Sequence, residues 1–259
     1  MSILSWNCQG LGSSLTGKNL QFLCSKFRPS LVFLMETRVK MEKIEKWRRR
    51  LNFQNKIYVE LVGIGGGLAV WWNDDLQLNF IKSDKNMIYL KVLKGLEMEF
   101  GFLTLVYGPP KEQDRRKWWG RLKNLNPGNA VPWLCCGDFN DLLFDFEKEG
   151  ENTRDLNSLT EFQNFMTQCD MEDLGAKGLA FTWSNKRLNE ANVKERLDRA
   201  VCNTFWREKH QNAQIMVVAE LVTSYAIQMG KWWISIANLV RCLQHSKQKH
   251  MHFMKQLLR

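Results

Sequence analysis

The sequence predicts an α/β domain whose sheets are covered by helices, and three observations carry that expectation. Short runs rich in β-branched and aromatic residues alternate with helix-patterned stretches from the first residues onward. No internal repeat interrupts the alternation. At 259 residues and 44% hydrophobic, the chain is long enough to bury one substantial core, so one large domain is favoured over two small ones.

The elements follow in order. Strand-like runs occupy Ile3 to Asn7, Leu31 to Met35, Lys56 to Val62, Gly67 to Trp72, Leu76 to Ile81, Met87 to Val92, Met98 to Tyr107 and Pro132 to Cys136. Further runs lie at Phe181 to Trp183, Arg196 to Val201 and Ile215 to Val218. Helical spacing marks Lys18 to Phe27, Met41 to Leu51, Glu112 to Leu125 and Leu156 to Cys169, the last opening after an acidic, polar stretch. The glycine run Gly63-Ile-Gly-Gly-Gly67 has neither a Walker lysine nor dinucleotide-loop spacing, so it reads as a turn between two strands.

The last stretch differs. From Leu221 to Arg259 there is no acidic residue, while Lys231, Arg241, Lys247, Lys249, Lys255 and Arg259 are basic. Trp232, Ile236, Leu239, Val240, Leu243, Phe253, Met254 and Leu257 recur at roughly helical spacing, which predicts a basic amphipathic helix. It reads either as a solvated helix packed on the domain or as a surface for nucleic acid.

Composition narrows the function. A balance of 37 Lys+Arg against 27 Asp+Glu gives +10, and a basic surface concentrates polyanions such as nucleic acid around itself. No stretch approaches the roughly 18 apolar residues of a membrane span, so a soluble protein without a membrane partner is expected. The first seven residues have no basic region or small-residue cleavage site, which points to an intracellular protein, nuclear or cytoplasmic and not secreted. Seven cysteines without a CxxC pair argue against a zinc site and a disulfide framework, and those in apolar runs read as small hydrophobes.

Sites in α/β folds gather where strand ends converge, so polar residues at the ends of apolar strands carry the most information. Asn7 ends the first strand with an amide and Glu36 the second with a carboxylate. Tyr107 ends another with a phenol, and Asp138 and Asn140 follow a further strand with a carboxylate and an amide. Each alone has an ordinary reading as a turn cap, a helix start, a core ring or an Asx turn.

Their order and spacing together resemble a known family. Trp6-Asn7-Cys-Gln-Gly10, Glu36-Thr37, Tyr107-Gly-Pro-Pro110, Gly137-Asp138-Phe-Asn140, Phe181-Thr-Trp183 and Arg196-Leu-Asp198-Arg199 match, in sequence order, the signature blocks of the endonuclease/exonuclease/phosphatase family. The variants at the first block, at Phe181-Thr-Trp-Ser-Asn185 and at Arg196-Leu-Asp-Arg199 look most like the endonuclease domain of plant non-long-terminal-repeat retrotransposons. The resemblance covers about residues 1 to 220.

It implies a four-layered αββα sandwich of the DNase I-like kind, two mixed sheets flanked by helices, with the last core strand left open. It divides the chain into a domain over 1–228, short of the family's closing motif, and the basic helical tail over 229–259. It implies hydrolysis of phosphodiester bonds in DNA with Mg²⁺, for which Mn²⁺ substitutes; one or two carboxylates with water and substrate phosphate suffice for such a hard cation. By resemblance Glu36 holds the metal and Asp138 orients or deprotonates the attacking water. Asn7 and Asn140 contact the phosphate or the nucleophile, Tyr107 donates to phosphoryl oxygens as charge builds, and Asp198 braces a histidine.

That histidine is missing. Where members of the family close with Ser-Asp-His, this chain reads Leu221-Val-Thr-Ser224-Tyr225-Ala226, and Gln9 stands where many repair-type relatives carry an aspartate. His210, His245, His250 and His252 do not match the position and read as surface residues. An impaired hydrolase is therefore expected. A non-catalytic nucleic-acid-binding remnant, a phosphomonoesterase on small substrates and a truncated fragment of a longer element stay open.

Overall fold

A computed structural model describes residues 2–60, 66–94, 100–150, 156–218 and 231–235. Its first strands and helices are β1 (Ser2–Asn7), α1 (Ser14–Phe27), β2 (Leu31–Met35), α2 (Met41–Arg50), β3 (Asn55–Val59) and β4 (Leu68–Trp72). Next come β5 (Gln77–Asp84), β6 (Met87–Lys94), β7 (Gly101–Tyr107), α3 (Glu112–Lys123) and β8 (Trp133–Asp138). A 3-10 turn at Asp145–Glu147 leads into β9 (Lys148–Glu149), α4 (Leu156–Gln168), β10 (Met171–Asp173), β11 (Ala176–Gly178) and β12 (Trp183–Ser184). The chain then runs through β13 (Lys194–Glu195), β14 (Asp198–Asn203), α5 (Thr204–Lys209), β15 (Gln214–Val218) and β16 (Lys231–Ser235).

Two mixed sheets stack face to face. One has the strand order β11-β15-β16-β1-β2-β4-β3 and the other β10-β14-β8-β7-β6-β5; β12, β13 and β9 form a small third sheet. Strand alternation explains the layering, because successive side chains point to opposite faces. In β2, Leu31, Phe33 and Met35 enter the core between the sheets, while Val32 and Leu34 pack with Leu20, Leu23 and Ile44 of α1 and α2. In β8, Leu134 and Cys136 face the inter-sheet core, while Trp133 and Cys135 meet Trp118, Trp119, Phe162 and Phe165 of α3 and α4. Both strands are buried on two sides and therefore read as unbroken apolar runs. The order is helix, sheet, sheet, helix: the four-layered sandwich expected from the sequence.

Several elements differ from the sequence reading. Helix α1 begins at Ser14 rather than Lys18, capped by the Ser13 hydroxyl, which accepts from the Thr16 amide at 2.9 Å. Gly17 obscures this start, yet it serves packing: a Cβ there would overlap the Trp47 ring of α2. Helix α5 follows Asn203, whose side chain accepts from the Trp206 amide at 3.0 Å.

Lys231–Ser235, read as part of the basic helix, is instead a strand; it pairs antiparallel with β1 on one side and β15 on the other. The run Lys-Trp-Trp-Ile-Ser suits a strand, and two free strand edges outweigh its helical spacing. The rest of that tail, with Ser224-Tyr225-Ala226, lies outside the described residues, as do residues 61–65 of the glycine turn.

His210 is not a surface residue. It is 4% exposed, its ring lies 4.4 Å from that of Trp206, and burial lowers its pKa to about 4, so it is a neutral packing group. The described cysteines are free thiols. No helix among the described residues is long and apolar enough to cross a membrane.

Candidate active site

The ends of parallel strands from both sheets meet at one place. β1 runs parallel to β2, pairing Asn7 with Met35, and β7 runs parallel to β8, pairing Tyr107 with Asp138. The residues that end these strands therefore project together, and four of those marked in the sequence are joined by hydrogen bonds.

Asn7 is the bridge. Its Nδ2 donates to Glu36 Oε1 at 2.9 Å and to Asp138 Oδ2 at 3.0 Å, spanning the two sheets with one amide. The Gln9 amide donates to Asn7 Oδ1 at 3.4 Å, which orients the group with its donors toward the carboxylates. The Tyr107 hydroxyl donates to the same Glu36 Oε1 at 2.9 Å. Arg38 pairs with the other oxygen, Glu36 Oε2.

The local backbone is held in a conformation that L residues seldom adopt. Gln9, Glu36, Arg38 and Asn140 have φ of 47°, 50°, 49° and 52°. Each costs on the order of 1 kcal/mol, which the surrounding hydrogen bonds must offset, and such strain concentrates at functional sites. Gly137 and Gly108 allow the strand ends to approach closely: a Cβ would overlap the Val106 carbonyl oxygen at the first and that of Phe139 at the second. The glycine in Gly137-Asp-Phe-Asn140 is therefore a steric requirement of the β7–β8 contact, with φ of 151°.

Asp138 is 5% exposed, and burial pushes its carboxyl from 3.8 up to about 6, with the charge of Glu36 adding to the rise. The Asn7 side chain and the Asn140 backbone N–H, 2.9 Å from Oδ1, hold it down. Such a carboxylate is ionised at neutral pH yet basic enough to take a proton. Burial, then the charge and hydrogen bond of Glu36, push the Tyr107 hydroxyl well above its usual value, so it stays a donor.

Two of the marked residues sit further from this cluster. Asn140 turns its Nδ2 onto the Gly108 carbonyl at 2.8 Å, so in this arrangement it braces the loop after Tyr107. Asp198 lies directly opposite Asp138 in the β14–β8 ladder and is 5% exposed. Its amide and that of Leu197 both donate to Thr182 Oγ1 at 3.0 Å, so the Phe181-Thr-Trp183 block fixes the start of β14.

Sequence reasoning missed Arg38, which follows Glu36 by two residues but belongs to no strand pattern. It also missed a buried ion network beside Asp198. Glu147 is clasped by Arg199 at 2.7 Å and Arg196 at 3.0 Å, and both arginines reach Asp173 at 2.9 Å. Arginines on both sides of Asp198 were its one sequence signal, since their acidic partners lie 23 to 52 residues away.

Cys8 is not a nucleophile in this setting. Its thiol donates to the Met35 carbonyl at 3.2 Å, and burial pushes its pKa up to about 12.

Among the described residues no group of three or more His, Cys, Asp or Glu side chains is arranged to hold a metal. Oxygen donors are nevertheless present in Glu36 and Asp138, and the Arg38 guanidinium occupies a cation's place on Glu36 Oε2. That donor set fits a hard divalent ion, which needs only one or two carboxylates from the protein.

Similar architectures occur among solved nucleases. The endonuclease domain of TRAS1, a telomere-specific non-LTR retrotransposon, superposes with a TM-score of 0.64 at 13% identity, over 92% of this chain and 99% of that one. An AP endonuclease from Archaeoglobus fulgidus gives 0.68 at 13% identity, over 91% and 98%. The 3' phosphatase NExo from Neisseria, bound to a product DNA hairpin, gives 0.66 at 13% identity, over 92% and 100%. These likenesses establish the fold. No curated protein sequence matches the chain. The family model described as "Endonuclease/Exonuclease/phosphatase family" matches residues 4–219, most of the chain's length, and the chain therefore belongs to that family.

Proposed function

We propose that the protein is a divalent-metal-dependent phosphodiester hydrolase of the DNA endonuclease type, derived from a retrotransposon and weakened by loss of the closing histidine. The observation that carries this reading is the Asn7 amide joining Glu36 and Asp138 across the two sheets. Family membership and DNA-processing structural neighbours support the substrate class.

Glu36 is the residue that would hold Mg²⁺ or Mn²⁺, with Arg38 giving up Oε2. Bound there, the ion would offset charge on the scissile phosphate and on the departing oxygen. Asp138 orients the attacking water and takes its proton, a task that suits a carboxyl raised toward neutrality. Tyr107 and Asn7 hold donors where phosphoryl oxygens arrive, and donors fixed before the reaction stabilise developing charge without reorganising. Asn140 keeps the Tyr107 loop in place through Gly108. Asp198 stands beside Asp138, and its role as a brace belongs to a histidine that this chain lacks.

Losing one member of such a constellation costs about a hundredfold or more in rate. Incubating supercoiled plasmid with the protein and Mg²⁺ should give slow nicking that EDTA stops and that Glu36→Ala and Asp138→Ala both abolish. Nicking that survives both substitutions would refute the assignment. A second reading, nucleic-acid binding without turnover, draws on the mismatch of the chain's histidines: His210 is buried against the Trp206 ring. It would be established by binding that Glu36→Ala leaves intact, with no nicking by any form.

A further inference from the structure

Two phenylalanines in the loop that follows Asn140 are left in solvent although a rigid mount holds them. Phe144 is 43% exposed and Phe146 is 76% exposed, and their rings stack with centroids 5.1 Å apart and planes 11° apart. The other stacked pairs among the described residues each contain a buried ring. Scattered exposed apolar side chains are ordinary, but a parallel pair with an open face offers a flat π surface to a ligand.

The mount is built from buried charge. Glu147 Oε2 accepts from the Leu143 amide at 2.7 Å and from the Phe144 amide at 3.3 Å, and the Glu147 amide returns to the Phe144 carbonyl at 3.1 Å. Gln163 of α4 donates to the Leu143 carbonyl at 2.9 Å. Glu147 is in turn held by Arg196 and Arg199, so the turn carrying the rings is tied to the core on both sides. The rings are presented by a fixed frame, which lowers the entropy lost when a ligand stacks on them.

We infer that Phe144 and Phe146 form a stacking platform for an unpaired nucleobase near the scissile phosphate. This rests on the hydrolase reading of the same site. Phe144 is six residues beyond Asp138, so the backbone separates them by at most about 21 Å. With a rise of about 3.4 Å per stacked nucleotide along a strand, the platform lies within about six nucleotides of that carboxylate. Asp145 separates the two phenylalanines in the sequence, and its carboxylate disfavours phosphate beside them, leaving the ring faces to a base. A base must leave its helix to present a face, so the platform selects single-stranded, nicked or flipped sites over continuous duplex.

Equilibrium binding of the full chain to a fluorescein-labelled 12-nucleotide single strand and to the matching duplex, in EDTA, tests this directly. Phe144→Ala/Phe146→Ala should weaken single-strand binding about tenfold, by the usual scale of base stacking on an aromatic ring, and change duplex binding less than about twofold. Phe146→Trp should restore the single-strand affinity, and a 2-aminopurine in the strand should be quenched by the wild type but not by the double variant. Both rings are exposed, so the melting temperature should not move. Equal losses on both nucleic acids, or none, would overturn the platform, as would failure of the wild type to bind either. The two readings can be told apart. Metal-dependent nicking abolished by Glu36→Ala, with double-variant binding like that of wild type, removes the platform alone. Selective loss of single-strand binding in a protein that never nicks removes the hydrolase reading alone.

Discussion

Two charged clusters lie a few residues apart in this fold, and they are built on opposite principles. Around Glu147, two guanidiniums meet two carboxylates, Arg199 is 0% exposed, and its charge also lies 5.0 Å from the Phe162 ring. Each charge there has its opposite in the cluster. At the strand ends, Glu36 and Asp138 share one neutral amide, and Arg38 answers only the first of them. Burial shifts a carboxylate toward its protonated form where its partner is a neutral amide, as it does Asp138. The neutral network holds a loop, and the underneutralised pair has charge left for the cation proposed to bind there.

The largest test of that contrast removes a charge from the balanced cluster. Arg199→Met should cost about 3–5 kcal/mol, because Glu147 is then buried with one partner fewer. For a domain of this size that lowers the melting temperature by about 10 °C. The double variant Arg199→Met/Glu147→Met should recover only part of the loss, because the uncompensated charge is gone but the Leu143 and Phe144 amides lose their acceptor. Equal melting temperatures for the single variant and the wild type would mean the network does not hold the loop.

Removing a charge from the unbalanced cluster should do the reverse. The folded pKa of Asp138 lies above its ordinary 3.8, so the native state binds the proton more tightly than the unfolded chain does. The charged form therefore costs stability at every pH above about 6, and the cost fades as pH falls from about 6 toward 3.8. Asp138→Asn should be more stable than the wild type by about 3 kcal/mol at pH 8 and nearly equal to it near pH 4, with nicking abolished throughout. Denaturant melts across that range decide it. A gap that widens on acidification would reverse the sign of the argument.

The same contrast explains what the sequence disclosed. Strands such as Leu31–Met35 and Trp133–Asp138 are buried on both faces, so their apolar runs mark them without ambiguity, and the polar residues that end them announced the site. Glu36, Asn7, Tyr107 and Asp138 were legible because each closes such a run. The ion network was not, because its members belong to three short segments whose proximity depends on the finished fold. The start of α1 was hidden by Gly17, a residue placed for the Trp47 ring and not for the helix. Strand β16 was hidden because aromatic residues in a basic stretch satisfy a helical period equally well, and pairing with β1 and β15 decided between them.

The smallest expected effect concerns the side chain that partly balances the site. Arg38 is 46% exposed on its side chain, and exposed ion pairs contribute at most about 1 kcal/mol, so Arg38→Ala should leave the melting temperature nearly unchanged. A cation that binds Glu36 must displace that guanidinium, and without it Mn²⁺ should bind up to about fivefold more tightly by calorimetry or electron paramagnetic resonance. Glu36→Gln should lose the binding in either background. If Arg38→Ala weakens Mn²⁺ instead, the guanidinium orients the carboxylate for the metal rather than competing with it. The strained backbone at Glu36 and Arg38 would then be a device for holding that orientation.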